Sequence, residues 1–344
     1  MTKLLIIYTG GTIGMKQDPE TMSLVPFNFR QILEEVPELK KFNIDIDAYS
    51  FEPAIDSSDV QPEFWVELAK LIETNYRKYD GFVILHGTDT MAFTSSMLSF
   101  MLEDLEKAVV LTGSQLPIGM LRTDGRENLI SAIEIAAAKN ADGRPCVPEV
   151  CVFFENELYR GNRTIKYNAE NFKAFRSPNY PLLAEAGIHI KFNEAAIHYP
   201  SSWGNELKVN NIIDTKVGIL KLYPGIQDKA VDAILATDGM RALILESFGC
   251  GNAPSSPWFI NRIKKIILQG VVVVNVSQCN AGSVDMDAYA TGCILKQAGL
   301  ISAYDATFES TLAKLYFLLG KYEDNESVKF YMNENIKGEI SKRK

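Results

Sequence analysis

Residues 2–14 read TKLLIIYTGGTIG, and this stretch decides the fold. Leu4, Leu5, Ile6, Ile7 and Tyr8 are apolar without a break. A strand with one face in water alternates apolar and polar residues, so a continuous run marks a strand covered on both faces, the habit of parallel sheets sandwiched between helices. The run then breaks at Gly10 and Gly11, which stand between Thr9 and Thr12. Glycines at such a strand end permit a tight turn and the close approach of another group, while the threonines bring hydroxyls to the same space.

The pattern recurs in GFVILHGTDT (81–90), AVVLTGSQ (108–115), EVCVFFEN (149–156), VGILKLYPG (217–225), ALILESFGCGN (242–252) and GVVVVNVSQC (270–279). Helical spacing fills the gaps. Pro62 opens a helix carrying Phe64, Trp65, Leu68, Leu71 and Ile72, and after Thr90 a stripe runs through Met97, Leu98, Met101, Leu102 and Leu105. Strands alternating with helices predict an α/β fold with a mostly parallel sheet. The stretch 192–211, polar and interrupted by Pro and Gly, reads as a linker. It divides a larger N-terminal α/β domain (1–191) from a smaller C-terminal α/β domain (212–344). Residues 15–26 read as a flexible lid, and EISKRK (339–344) as a solvated end.

Composition narrows the function. Of 344 residues 47% are hydrophobic and 23% charged, the balance of a globular protein with room for two cores. A net charge of −8 and the lack of a long basic tract argue against nucleic acid as a partner. No apolar run approaches the ~20 residues of a membrane span, and the first residues lack a secretory pattern, so a cytoplasmic location and no membrane partner are expected. Five cysteines without a CxxC pair fit a reducing compartment, and three scattered histidines without metal-binding spacing predict no metal. GGTIG is neither GxGxxG nor a nucleophile elbow, because MKQDPETMSLVP after it has no helical spacing.

In open parallel sheets, ligands bind beyond the carboxyl ends of the strands. There this sequence places Thr9 to Thr12, His86 to Thr90, Thr112 to Gln115 and, ahead of the Pro62 helix, Asp56, Ser57, Ser58 and Asp59. Helix capping accounts for any one of these groups. Four of them on one rim point to a shared polar pocket. Hydroxyl nucleophiles there require activation. His86 reads as a hydrogen-bonded residue beneath the site, and Lys166, in YRGNRTIK, is the candidate activator.

Taken together, YTGGTIG, HGTDTM, TGSQ, DSSD, YRGNRTIK and GCGNAP resemble the cytoplasmic, bacterial-type class I L-asparaginases, from the first strand to about Gly338. The resemblance implies a larger and a smaller α/β domain, assembly as a homodimer or homotetramer, and hydrolysis of L-asparagine to L-aspartate and ammonia without metal or organic cofactor, with L-glutamine a weaker substrate. It implies Thr12 as nucleophile and Thr88, Asp89 and Lys166 as a second catalytic group. Asp89 also meets the substrate's α-ammonium, and Ser57, flanked by Asp56 and Ser58, its α-carboxylate. Amides at Gly11 and Gly87 to Thr88 receive the oxyanion, and the Ser114 main chain meets the leaving amide. A glutaminase or related amidohydrolase acting on a glutamyl side chain, or a non-catalytic amino-acid sensor, are the alternatives.

Two departures from the family pattern carry expectations. Members with a second, regulatory asparagine site have a threonine before the catalytic lysine and an arginine in the strand before GNAP; here Ile165 and Glu246 stand there, which predicts hyperbolic kinetics. Many members also carry a lid tyrosine where this chain has Leu24, and Tyr289 in DMDAYATG is the candidate for a replacement proton relay.

Overall fold

The LLIIY run is strand β1 (Thr2–Tyr8), and each of its residues from Leu4 to Tyr8 is at most 4% exposed. A computed structural model describes residues 1–17, 24–26, 36–287 and 290–342. By their contacts they group into two units, Met1–Asn211 and Ile212–Lys344.

In the first unit, β1 is joined by β2 (Ile44–Ser50), β3 (Gly81–Leu85), β4 (Ala108–Thr112), β5 (Val150–Phe154), β6 (Glu157–Arg160), β7 (Ala184–Ala186) and β8 (Ile190–Phe192). They form one eight-stranded sheet in the order β2-β1-β3-β4-β5-β6-β7-β8. The pairings from β2 through β5 are parallel, and β6, β7 and β8 add on antiparallel. The chain leaves β1 for β2 on one side and returns to β3 on the other. Connections that part in this way open a crevice at the carboxyl ends of the two strands, the position where such sheets bind ligands.

Alternation along the buried strands loads both faces. Leu4, Ile6, Tyr8, Val83, Leu85 and Val110 pack with Leu129, Ala132, Ile133 and Ala136 of helix α3 (Gly125–Ala137). Leu5, Ile7, Phe82, Ile84, Val109 and Leu111 are buried on the opposite side, which carries α1 (Pro62–Asn75) and α2 (Met91–Met101). Burial of each large aliphatic side chain contributes ~1.5–3 kcal/mol.

The second unit holds a parallel sheet of β9 (Val217–Lys221), β10 (Ala242–Ser247), β11 (Val272–Ser277) and β12 (Ile301–Ser302). Helices α4 (Asp228–Leu235), α5 (Pro257–Leu268), α6 (Ala290–Gln297), α7 (Phe308–Lys321) and α8 (Asn325–Asn333) complete it. Its core includes Leu220, Leu243, Leu245, Phe259, Ile263 and Val273. The larger and smaller α/β architecture is thus as the sequence predicts, and among the described residues no helix is long and apolar enough to cross a membrane.

Three stretches differ from the sequence reading. In the segment read as a lid, Met15–Gln17 pairs antiparallel with Leu24–Pro26; residues 18–23 lie outside the described residues. Within 192–211, Lys208–Val209 pairs with Leu102–Glu103, so that part of the segment is bound to the first unit's own backbone. EISKRK is not wholly solvated. Glu339 and Ile340 are buried, and the Glu339 carboxylate pairs with buried Lys314 and accepts the Ile336 and Lys337 amides. The sequence pattern hides this because a buried ion pair, hydrogen bonds from backbone amides and the single apolar residue Ile340, not a periodic apolar face, hold the segment.

Candidate active site

The two glycines after β1 are where the site begins. Gly10 and Gly11 have φ of 137° and 85°, in a region that favours glycine. A Cβ on Gly10 would lie 2.1 Å from the Ile55 carbonyl oxygen, and one on Gly11 2.5 Å from Gly87 Cα and N. Glycine therefore lets three chain segments touch backbone to backbone. The turn Thr12–Gly14 follows, with Thr12 half-buried. It is closed by the Gly14 amide on the Gly11 carbonyl (3.2 Å) and by the Tyr8 hydroxyl, which donates to the Gly14 carbonyl at 3.1 Å. Burial pushes the Tyr8 phenol up to about 12, so it stays protonated and keeps this bond.

Register brings the next strand ends level. Tyr8 lies opposite Leu85, and Leu85 opposite Thr112, so Thr9, His86 and Gly113 leave the sheet side by side. A Gly113 Cβ would lie 2.4 Å from the His86 carbonyl oxygen, and a Gly87 Cβ 2.4 Å from Ser57 Oγ. Thr90 Oγ1 donates to the Ser57 carbonyl at 2.7 Å, tying the Ser57 turn to the Thr88–Thr90 turn. Ser57 is buried against Gly87. Asp56 and Ser58 are exposed, and Asp56 Oδ1 accepts both the Ser58 amide and hydroxyl at 2.9 Å, so it caps its own turn.

His86 is fully buried beneath the crevice. Its Nδ1 lies 2.7 Å from the Gly87 carbonyl, which only accepts, so Nδ1 carries the proton. Nε2 accepts from the Thr94 hydroxyl at 3.0 Å, and Thr94 Oγ1 accepts Trp65 Nε1–H at 3.0 Å. Burial lowers the imidazole to about 4. With both nitrogens engaged and the ring neutral, His86 braces the turn, as the sequence reading expected.

Lys166 reaches the crevice from Ile165–Lys166, a short strand paired with Phe175–Arg176. Its Nζ donates to Thr88 Oγ1 at 2.9 Å and also to Asp89 Oδ1. The loop before it is held down where Ser95 Oγ donates to the Gly161 carbonyl at 3.0 Å. The Lys166 side chain is 20% exposed and that of Asp89 60%. So open an ion pair contributes little to stability.

Ser114 is buried after β4, and its hydroxyl donates to the Leu116 carbonyl at 2.5 Å. Two neighbours missing from the sequence reading hold this loop. Asp124 accepts the Gln115 and Leu116 amides, and Asn128 donates to the Gly113 carbonyl. Burial raises the Asp124 carboxyl, partly offset by those amides. The available signal was DGREN, which puts polar residues four apart on the first turn of α3. Glu246 lies in the second unit, on β10, paired with Lys221 at 2.9 Å. Ile165 is buried, Leu24 belongs to the strand Leu24–Pro26, and Tyr289 lies outside the described residues.

Two structural domains with a hydroxyl-lined crevice at the strand ends define the class, and comparison with known proteins gives the family. Residues 3–198 match the model described as asparaginase, N-terminal, and residues 216–332 that described as glutaminase/asparaginase C-terminal domain. The chain belongs to the asparaginase family. It is 44% identical over 340 residues to L-asparaginase 1 of Escherichia coli (strain K12), covering 98% of each chain. Among solved structures it resembles L-asparaginase I from Vibrio cholerae O1 biovar eltor, with a TM-score of 0.89 and 42% identity over 99% of each chain. The thermostable L-asparaginase from Thermococcus kodakarensis also has a TM-score of 0.89, with 32% identity over 99% of this chain and 100% of that one.

Proposed function

We propose that this protein hydrolyses L-asparagine to L-aspartate and ammonia through an acyl-enzyme on Thr12. The observation that carries the reading is the Lys166 ammonium bonded to Thr88 Oγ1 and Asp89, on the turn whose Gly87 touches Gly11 next to Thr12. A binding module needs a carboxylate for the substrate's amine; it has no use for a second hydroxyl held by a lysine.

The substrate's α-ammonium is met by the exposed carboxylate of Asp89, and its α-carboxylate by Ser57, with Asp56 and Ser58 shaping the turn. Thr12 Oγ attacks the side-chain carbonyl carbon. The amides of Gly11 and of Gly87 to Thr88 take the developing oxyanion, a contribution of ~3 kcal/mol per donor in other hydrolases. The C–N bond then breaks, nitrogen leaves as ammonia after gaining a proton, and the acyl group remains as an ester on Thr12. Thr88, its oxygen fixed by Lys166, orients the water that cleaves the ester and releases aspartate. So written, the reaction balances with water alone. The proton path to and from Thr12 is assigned to Tyr289 or to water. The working form is a cytoplasmic homodimer or homotetramer.

The deciding experiment measures ammonia release from L-asparagine and L-glutamine side by side, for the native protein and Thr12→Ala. Asparagine turnover with glutamine slower, both lost in the variant, is the expected outcome. Faster glutamine turnover makes the protein a glutaminase, and binding without turnover makes it a sensor. Normal turnover by Thr12→Ala removes Thr12 as nucleophile. Tyr289→Phe at full activity leaves the proton path to water.

A further inference from the structure

Two side chains at the start of α3, half-buried Asp124 and buried Asn128, are turned toward the end of β4. Asp124 occupies the capping position before α3, yet its carboxylate makes no capping bond there. Thr123 Oγ1 accepts the Gly125 amide instead, at 3.0 Å. The Asp124 carboxylate turns to the loop, accepting the Gln115 amide at 2.9 and 3.1 Å and the Leu116 amide at 3.1 Å. Asn128, 1% exposed, donates to the Gly113 carbonyl at 2.9 Å and accepts the Glu155 amide at 2.9 Å, joining the ends of β4 and β5. Its Nδ2 also lies 3.3 Å from Asp124 Oδ2, which locks the two together.

Ser114 is the residue caught between these anchors. In a trans peptide the carbonyl and the N–H point in opposite directions. Because the Gln115 N–H is directed at Asp124, the Ser114 carbonyl of the same peptide is directed away from it. The Gly113 carbonyl on the other side is held by Asn128, so the Ser114 peptide cannot rotate without breaking charge-assisted bonds.

We infer that Asp124 and Asn128 are positioning residues that fix the Ser114 carbonyl as the acceptor for the N–H groups of the departing amide. The inference rests on the reading of Thr12 as nucleophile and Ser114 as neighbour of the leaving group. As the C–N bond lengthens and the nitrogen gains its proton, a fixed carbonyl keeps that nitrogen aligned for departure, whereas a loose one lets it drift.

The test compares L-asparagine with L-aspartate β-methyl ester, which has the same acyl part and α-groups but no N–H on its leaving oxygen. kcat/KM is measured on both for the native protein, Asp124→Asn and Asn128→Ala, with thermal unfolding recorded alongside. The variants should lose about 10- to 100-fold on the amide, as small misplacements do, and less than about threefold on the ester, because the bond they support has no partner there. An equal loss on both substrates, or none on the amide, overturns the inference. If Asp124→Asn does not fold, the amide-to-ester ratio of Asn128→Ala decides alone. A native protein inactive on both substrates overturns the Thr12 reading instead.

Discussion

At His86, burial and two hydrogen bonds fix a neutral ring, and this has a consequence for stability. The folded imidazole titrates near 4, against 6.5 for an ordinary histidine. Between those values the unfolded chain binds a proton that the folded protein refuses, so stability present above about pH 6.5 is lost as pH falls toward 4. The loss amounts to about 3 kcal/mol. Denaturant midpoints measured across that range should fall with acid and should fall less in His86→Gln. The Thr88, Asp89 and Lys166 cluster makes a different prediction. Thr88→Ala and Lys166→Met should each cut turnover by ~10²- to 10⁴-fold. Since Lys166 acts through Thr88 Oγ1, the double variant should be scarcely slower than the worse single one. Rate losses that multiply would mean the two act separately. Thr88 and Asp89 stand out in the sequence as a hydroxyl and an acid at a strand end and Lys166 as a lysine in a loop segment, but their joining into one catalytic group comes from the resemblance to asparaginases. Asp124 and Asn128 do not stand out, because they act on backbone groups, and any short polar residue beside a helix start looks like a cap.

At the scale of elements, the apolar runs gave away the strands that are buried on both faces: β1, β3, β4, β5, β9, β10 and β11 all lie within stretches that sequence alone marks as strand. Strand β2 escaped. Its IDIDAYS alternates charged and apolar residues and sits at the sheet edge with no buried residue. Strands β6, β7 and β8 are antiparallel additions of three or four residues, too short to show a periodicity; β6 folds back on β5 and β8 on β7 as hairpins, and only the β6–β7 pairing joins residues distant in sequence. The Pro62 helix was legible because it packs one face, burying Phe64, Trp65, Leu68 and Ile72. The stripe after Thr90 overran its helix, since α2 ends at Met101 and Leu102 passes into a short strand. Burial predicts unequal sensitivity along one sheet. Ile6→Ala in β1, at 0% exposure, should cost ~2–5 kcal/mol, whereas Tyr49→Ala in β2, 44% exposed, should cost far less. Urea unfolding of the two variants measures the difference, and equal costs would contradict the dependence on burial.

For the whole molecule, regulation is the open property. In the asparaginases with a second asparagine site, that site uses a hydroxyl and a guanidinium at the two positions where this chain has Ile165 and Glu246. Glu246 already has a cation, Lys221, at 2.9 Å. A buried isoleucine and a paired carboxylate offer an amino-acid effector nothing to bind through its own carboxylate, so initial rates against asparagine concentration should follow a hyperbola. A sigmoidal curve would show that an effector site is built from other residues. The sheet order carries a last consequence, for the making of the protein. Strand β1 precedes both of its neighbours in the chain, yet in the finished sheet it lies between β2 and β3. During synthesis, LLIIY emerges with two bare edges and waits for some seventy residues' worth of chain before Gly81–Leu85 exists to pair with it. The same uninterrupted apolar run that makes the native sheet secure is, in that interval, the segment most exposed to joining another nascent chain.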